Sequence, residues 1–179
     1  MTHSPEDIGF MQLALRQAQA AADAGEVPVG AVVVRAGQVI ASGHNAPLGR
    51  HDPTAHAEVN AIRSVKDKSL LQESTIYVSL EPCSHTGKTP PCADLLIKHQ
   101  VGRVVICNLD PNPLVAGQGV AKLQAAGIEV EIGILAEKGE YLNRRFFHFH
   151  RHQRPYLTVK FASSSDQFIA KKNGAATLF

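Results

Sequence analysis

The chain has 179 residues, and its 18 basic against 16 acidic side chains leave a formal charge of +2. With 44% apolar and 19% charged residues it has ordinary globular proportions, which exclude a disordered or collagen-like chain. No run approaches the ~18 unbroken apolar residues of a membrane helix, and three cysteines, an odd number, speak against a disulfide scaffold. MTHSPEDIGF lacks the basic stretch and apolar core of a signal peptide, so a cytoplasmic domain with no membrane partner is expected.

Ser4-Pro5-Glu6-Asp7 predicts a helix start: a capping serine, proline at the first helical position and acids in the first turn. Ile8, Met11, Leu15, Ala18 and Ala22 recur at intervals of three and four and predict its buried stripe, with Gly25 as the stop. VGAVVV (29–34) and QVIASG (38–43) flank Arg35-Ala36-Gly37 as a hairpin. Asp52-Pro53 predicts the cap and first residue of a second helix. TIYVSL (75–80) and RVVICN (103–108) read as the third and fourth strands, with Cys107 a buried thiol. Between them Thr89-Pro90-Pro91 opens a helix running to about His99.

Residues 118–126 read as a helix closed by Gly127, and IEVEIG (128–133) as the fifth strand. Residues 136–150 read as one last helix with Leu142, Phe146 and Phe149 on one face. YLTVKFA (156–162) has the pattern of a further strand, which must pair with the main domain, pair with another chain or stay loose. The alternation predicts an α/β fold, a mixed five-stranded sheet covered on both sides by helices.

Two segments carry chemistry: His56-Ala57-Glu58 at a helix start, and Pro82-Cys83 followed by Cys92. One imidazole and two thiolates form a three-ligand set for zinc that leaves a fourth, tetrahedral position for water. On a helix flank Glu58 and His56 would point roughly 200° apart, so they share a site only at the helix end. The strand at 75–80 delivers Cys83 just past its C-terminal end, and the next helix presents Cys92 in its first turn. Positive helix ends favour thiolate there. A structural zinc module is the non-enzyme alternative, but such sites close with four protein ligands, and only His85 has suitable spacing to be the fourth. Glu58 beside an open position favours catalysis, with Glu58 shuttling protons and not binding the metal.

The H-x-E…P-C pattern resembles that of the zinc nucleobase deaminases, with a wider cysteine spacing than P-C-x-x-C. SLEPCSHTGKTPPCADLLI (79–97) and DPNPLVAGQGVAKLQAAGIEV (110–130) closely resemble the deaminase domain of the riboflavin-pathway deaminase/reductase family, where eight residues also separate the cysteines. The likeness extends through LNRRFFHFHRHQRPYLTVKFASSSDQ and covers residues 59 to 174. It implies a three-layer, cytidine-deaminase-like α/β/α fold and one zinc on His56, Cys83 and Cys92. It also implies loss of a ring amine, as ammonia, from a small phosphorylated ribosylamino-pyrimidine. By the same resemblance His85 and Lys88 contact the ribosyl phosphate, with Asn112 nearby. Residues 1–153 would be the deaminase domain, and 154–179 an extension matching the start of a reductase domain. No nicotinamide cofactor is expected, and a homo-oligomer is expected by analogy.

The N-terminal third is different. EVPVGAVVV (26–34) and GHNAPLGRHDPTAHAEV (43–59) look more like bacterial tRNA adenosine deaminases, and Asn45 matches a base-contacting asparagine of those enzymes. Transfer RNA is therefore the alternative substrate and partner. Arg144, Arg145, Arg151 and Arg154, interspersed with His148, His150 and His152, form a basic run of the kind that binds phosphate backbones, or a solvated helix face.

Overall fold

The computed structural model describes residues 3–85, 90–112, 115–163, 165 and 167. In chain order its elements are α1 (Pro5–Asp23), β1 (Gly30–Arg35), β2 (Gln38–His44), α2 (Ala57–Ser64), a 3₁₀ turn (Lys68–Leu71), β3 (Thr75–Leu80) and α3 (Cys92–Lys98). They continue with β4 (Arg103–Asn108), α4 (Gln118–Ala125), β5 (Glu129–Ile132), α5 (Ala136–Leu142) and α6 (Arg144–His152). The strands form one sheet in the order β2-β1-β3-β4-β5. β1 runs antiparallel to β2 and β3, while β3, β4 and β5 are parallel, so the sheet is mixed as expected. Ala36 and Gly37 turn the β1–β2 hairpin with positive φ at both positions, the backbone twist that tight hairpins favour.

Alternating strand residues feed two cores. Ala31, Val33, Ile76, Val78, Val104 and Ile106 pack under α2, α3 and α4. Val32, Val34, Tyr77, Val105 and Cys107 face Met11 and Ala14 of α1, together with Ile134 before α5. The result is three layers. Gly43 lets β2 approach α2 closely, because a Cβ there would lie 2.7 Å from the Ala57 carbonyl oxygen.

The polar anchor of α1 also decides which of its faces is buried. Ser4 caps the helix, accepting from the Asp7 N–H as its sequence implies. Asp7 is itself buried, accepting from the Tyr77 hydroxyl at 2.6 Å and from Arg103 at 2.8 Å. Arg103 also pairs with Glu131 and Glu129 on β5. The buried stripe is therefore Asp7, Met11, Ala14, Ala18 and Ala21. Ile8, Leu15 and Ala22, assigned to it from the apolar pattern alone, lie at its margin.

The Arg103 guanidinium holds the Asp7 carboxyl well below the usual carboxylate range, against the upward push of burial. A depressed carboxyl pKa stabilises the fold above the unfolded value of ~3.9 and loses that contribution as pH falls through the folded value. Asp7→Asn is expected to cost about 3 kcal/mol at pH 7, the low end for a broken buried pair because Arg103 keeps its two glutamates. Denaturant titrations of both proteins check this: the gap should narrow below about pH 4. A gap that is constant with pH would remove the ion pair as its cause.

Three sequence expectations change. The helix expected from Asp52-Pro53 begins at Ala57, because the Asp52 side chain accepts from the Thr54 N–H and hydroxyl and closes a local turn instead. The single helix expected over 136–150 breaks at Asn143 into α5 and α6. The break turns Phe147 into the core, leaves Phe146 and Leu142 half-buried and exposes Phe149. Residues 156–162 form no strand: the segment has no regular secondary structure and no ladder partners among the described residues, and Leu157, Val159 and Phe161 are exposed. No helix among the described residues is long and apolar enough to cross a membrane.

Candidate active site

His56 caps α2 in extended conformation, Glu58 follows in the first turn, and Cys92 opens α3. His56 and Glu58 thus lie at the helix end, within the first turn, which is the geometry one shared site requires. Asn45, just past β2, accepts from the first free amide of α2, the Ala57 N–H, at 3.0 Å, and donates to the Val27 carbonyl. One turn along, Asn60 donates to the carbonyls of His44 and Ala55, so the helix start is tied to the β2 exit.

The Nδ1 of His56 lies 3.3 Å from the Cys92 sulfur and 3.9 Å from that of Cys83. The three donor atoms fall within 4.8 Å of one another and form the only group of three or more potential metal-binding side chains among the described residues. The Cys92 backbone N–H, at the start of α3, donates to the Cys83 sulfur at 3.2 Å. The Cys92 thiol and His56 pull Cys83 down to about 4, while the hydrogen bond to Cys83 and burial push Cys92 up. His56 is raised, chiefly by its bond to Cys83. A soft, electron-rich set that holds a thiolate and shares protons among three converging atoms fits one zinc ion.

Glu58 is 4% exposed. Burial, then the nearby Cys83 charge, push its carboxyl up to about 7. It hydrogen-bonds its own backbone and Cys92, so it borders the trio without belonging to it. Ser84 Oγ is buried beside Cys83 with no hydrogen-bond partner among the described residues. By contrast, burial alone pushes the Cys107 thiol up to about 12, and it sits under α5 on the opposite face.

His85 is exposed, and its charge reaches the half-buried Asp110 together with that of His150. The loop after β4 is therefore close to the segment after Cys83. Asn112 lies on that loop, its N–H donating to Asp110 and its carbonyl accepting from Val115 and Ala116. Lys88 lies outside the described residues. Asn45 is placed at the helix start, with its amide oxygen and nitrogen both engaged by the protein. Two arginines of the basic run have partners within the protein: Arg144 covers the Tyr141 ring at 4.5 Å, and Arg151 pairs with Glu140 and covers Phe147 at 5.0 Å.

Sequence reasoning missed Glu81. It is 4% exposed and accepts four backbone N–H groups, from Asp110, Gly117, Gly119 and Val120. The available signal was a charged residue ending an otherwise apolar strand, immediately before Pro82-Cys83.

Residues 4–108 match the family model for the cytidine and deoxycytidylate deaminase zinc-binding region. The riboflavin biosynthesis protein RibD of Bacillus amyloliquefaciens is 49% identical over 146 residues, 82% of this chain and 38% of that protein. A structure of Acinetobacter baumannii RibD superposes with a TM-score of 0.88 at 41% identity, covering 97% of this chain and 48% of the other. A tRNA:A34 deaminase, of A-to-I editing at the wobble position, superposes with a TM-score of 0.63 at 30% identity, covering 75% and 98%. The chain spans less than half the length of the RibD relatives it matches.

Proposed function

The chain belongs to the cytidine and deoxycytidylate deaminase zinc-binding family, and from that premise we propose that it hydrolyses the ring amine of a phosphorylated ribosylamino-pyrimidine of riboflavin biosynthesis, releasing ammonia. The observation that carries this reading is the buried carboxyl of Glu58 bordering the His56, Cys83 and Cys92 donors without being one of them. Residues 1–153 form the proposed deaminase unit and 154–179 an extension from it.

His56, Cys83 and Cys92 would hold zinc, which when bound lowers the pKa of water toward neutrality and so supplies hydroxide. Glu58 takes one proton from the attacking water and delivers it to the ring nitrogen, then takes the second proton from the hydroxyl now on the ring carbon and delivers it to the amine, which leaves as ammonia while the ring carbon becomes a carbonyl. Its raised pKa, near neutrality, suits a group that must both accept and give a proton. His85, Lys88 and Asn112 are proposed to hold the ribosyl phosphate, and Asn45 to keep the start of α2 in place below the ring.

The tRNA reading is less well supported. The tRNA enzyme is the more distant relative, and the Asn45 amide is occupied within the protein. A comparison of ammonia release from the pyrimidine phosphate with inosine formation in an anticodon stem-loop separates the two. A charge-assisted contact to phosphate contributes ~1.5–3 kcal/mol. Lys88→Ala should therefore raise KM for the phosphorylated pyrimidine about 10–100-fold and barely change the dephosphorylated analogue. Inosine formation that survives Lys88→Ala but collapses in Arg145→Ala, with steep salt dependence, would overturn the proposal.

A further inference from the structure

Glu81 has no part in the chemistry derived above, yet it is among the most heavily hydrogen-bonded side chains near the site. Oε1 accepts from the Gly119 N–H at 2.9 Å and the Val120 N–H at 3.2 Å, and Oε2 from the Gly117 N–H at 3.0 Å and the Asp110 N–H at 3.2 Å. A carboxylate is the side chain suited to this task, being acceptor-only with two oxygens that can each receive two donors.

The four amides come from the two ends of one loop. Asp110 begins the segment that carries Asn112, and Gly119 and Val120 lie in the first turn of α4, which has no side-chain cap of its own. Glu81 thus serves as a remote cap, supplied from the strand-end segment that also carries Cys83. The contact is close-fitting: a Cβ on Gly119 would stand 2.2 Å from the Pro82 carbonyl oxygen. The backbone closes the same junction, with the Glu81 N–H donating to the Asn108 carbonyl at the end of β4.

We infer that Glu81 is a positioning residue: its carboxylate fixes Asp110–Asn112 and Gly117 against the segment that carries Cys83, and so sets substrate affinity and not the rate of chemistry. The affinity half of this inference rests on the proposed function; the loop-holding half does not. Glu81→Gln keeps the volume but, with its NH₂ in the place of Oε2, turns a donor toward the Asp110 and Gly117 N–H groups and so releases both ends of the loop from the side chain. Glu81→Asp keeps the charge with a shorter reach.

The test compares both variants with wild type as zinc-loaded proteins, first by amide hydrogen exchange. The Asp110 and Gly117 amides should exchange about tenfold faster or more in Glu81→Gln, while those at Asn60, Ala61 and Leu96 keep wild-type rates. In steady-state kinetics KM should rise at least about tenfold with kcat little changed, since a displaced positioning contact is costly. Adding Asn112→Ala should then cost nothing further. Unchanged exchange in the loop, a fall in kcat at constant KM, or fully additive effects with Asn112→Ala would each overturn the inference. If Glu81→Gln does not fold, Glu81→Asp carries the same comparisons with smaller changes. Wild-type protein inert toward the phosphorylated pyrimidine would sink the proposed function, and the exchange result alone would then decide whether Glu81 holds the loop.

Discussion

Glu58→Gln is expected to retain zinc and fold while losing roughly 10²–10⁴-fold in turnover, the range for removing a positioned acid/base. The substitution is nearly isosteric at a position 4% exposed, and its amide oxygen can still accept from the residue's own backbone N–H. What the amide cannot do is take a proton from water and return it to the departing amine. Ammonia release under saturating substrate, read beside metal analysis of the same sample, separates the outcomes. Normal turnover would remove Glu58 from the mechanism. Loss of zinc together with turnover would make it a support of the metal and not a proton carrier.

The second large effect concerns the donors. Wild-type protein should hold about one zinc per chain, and Cys92→Ala should lose it, because two remaining protein ligands fall short of the three that an open zinc site uses. Cys107→Ala should keep full occupancy, since that thiol lies on the far face of the sheet, under α5. Metal content and thermal unfolding of the two variants give the comparison. Equal zinc in both would refute the assignment of His56, Cys83 and Cys92. Loss of zinc should also lower the unfolding temperature in Cys92→Ala, as removal of any ligand specific to the native state does.

The parts of this molecule that were legible in the sequence are those whose causes are local or chemically rare. The strands at 75–80 and 103–108 are dense β-branched runs, and their bounds agree with β3 and β4. His56, Cys83 and Cys92 could be singled out because few side chains bind soft metals, and Glu58 because a carboxyl beside them has an evident task. Misreadings arose where two local signals competed. Asp52-Pro53 is both a helix opening and a turn, and the Asp52 bonds to Thr54 decide for the turn. The residues on either side of Asn143 have continuous helical pattern, but burial of Phe147 requires a change of direction.

What could not be read was long-range polar bonding. The partners of Glu81 are backbone amides, which have no sequence identity, and the partners of Asp7 lie on β3 and β4. The charge of Asp7 argued for helix-end stabilisation only; with it buried, the stripe of α1 keeps Met11 and Ala18 but takes in Asp7, Ala14 and Ala21 in place of Ile8, Leu15 and Ala22. YLTVKFA shows the opposite failure. Alternation describes a segment able to join a sheet, but no open ladder among the described residues receives it.

The mixed sheet has a kinetic consequence. The β1–β2 hairpin closes across Ala36-Gly37 alone, an event on the scale of ~1–10 μs in isolation. The β3–β4 and β4–β5 pairs are parallel, and each must wait for the chain to cross over through a helix before any ladder bond forms. His56 follows the quick half, whereas Cys83 and Cys92 lie within the first slow crossover. The three donors therefore meet only after β3 has docked on β1 and α3 has folded back over it. Metal captured before that point would find at most two neighbouring thiols and an untethered imidazole. The complete three-donor set exists only on a nearly finished architecture, so zinc bound there would stabilise the finished fold and not nucleate its assembly.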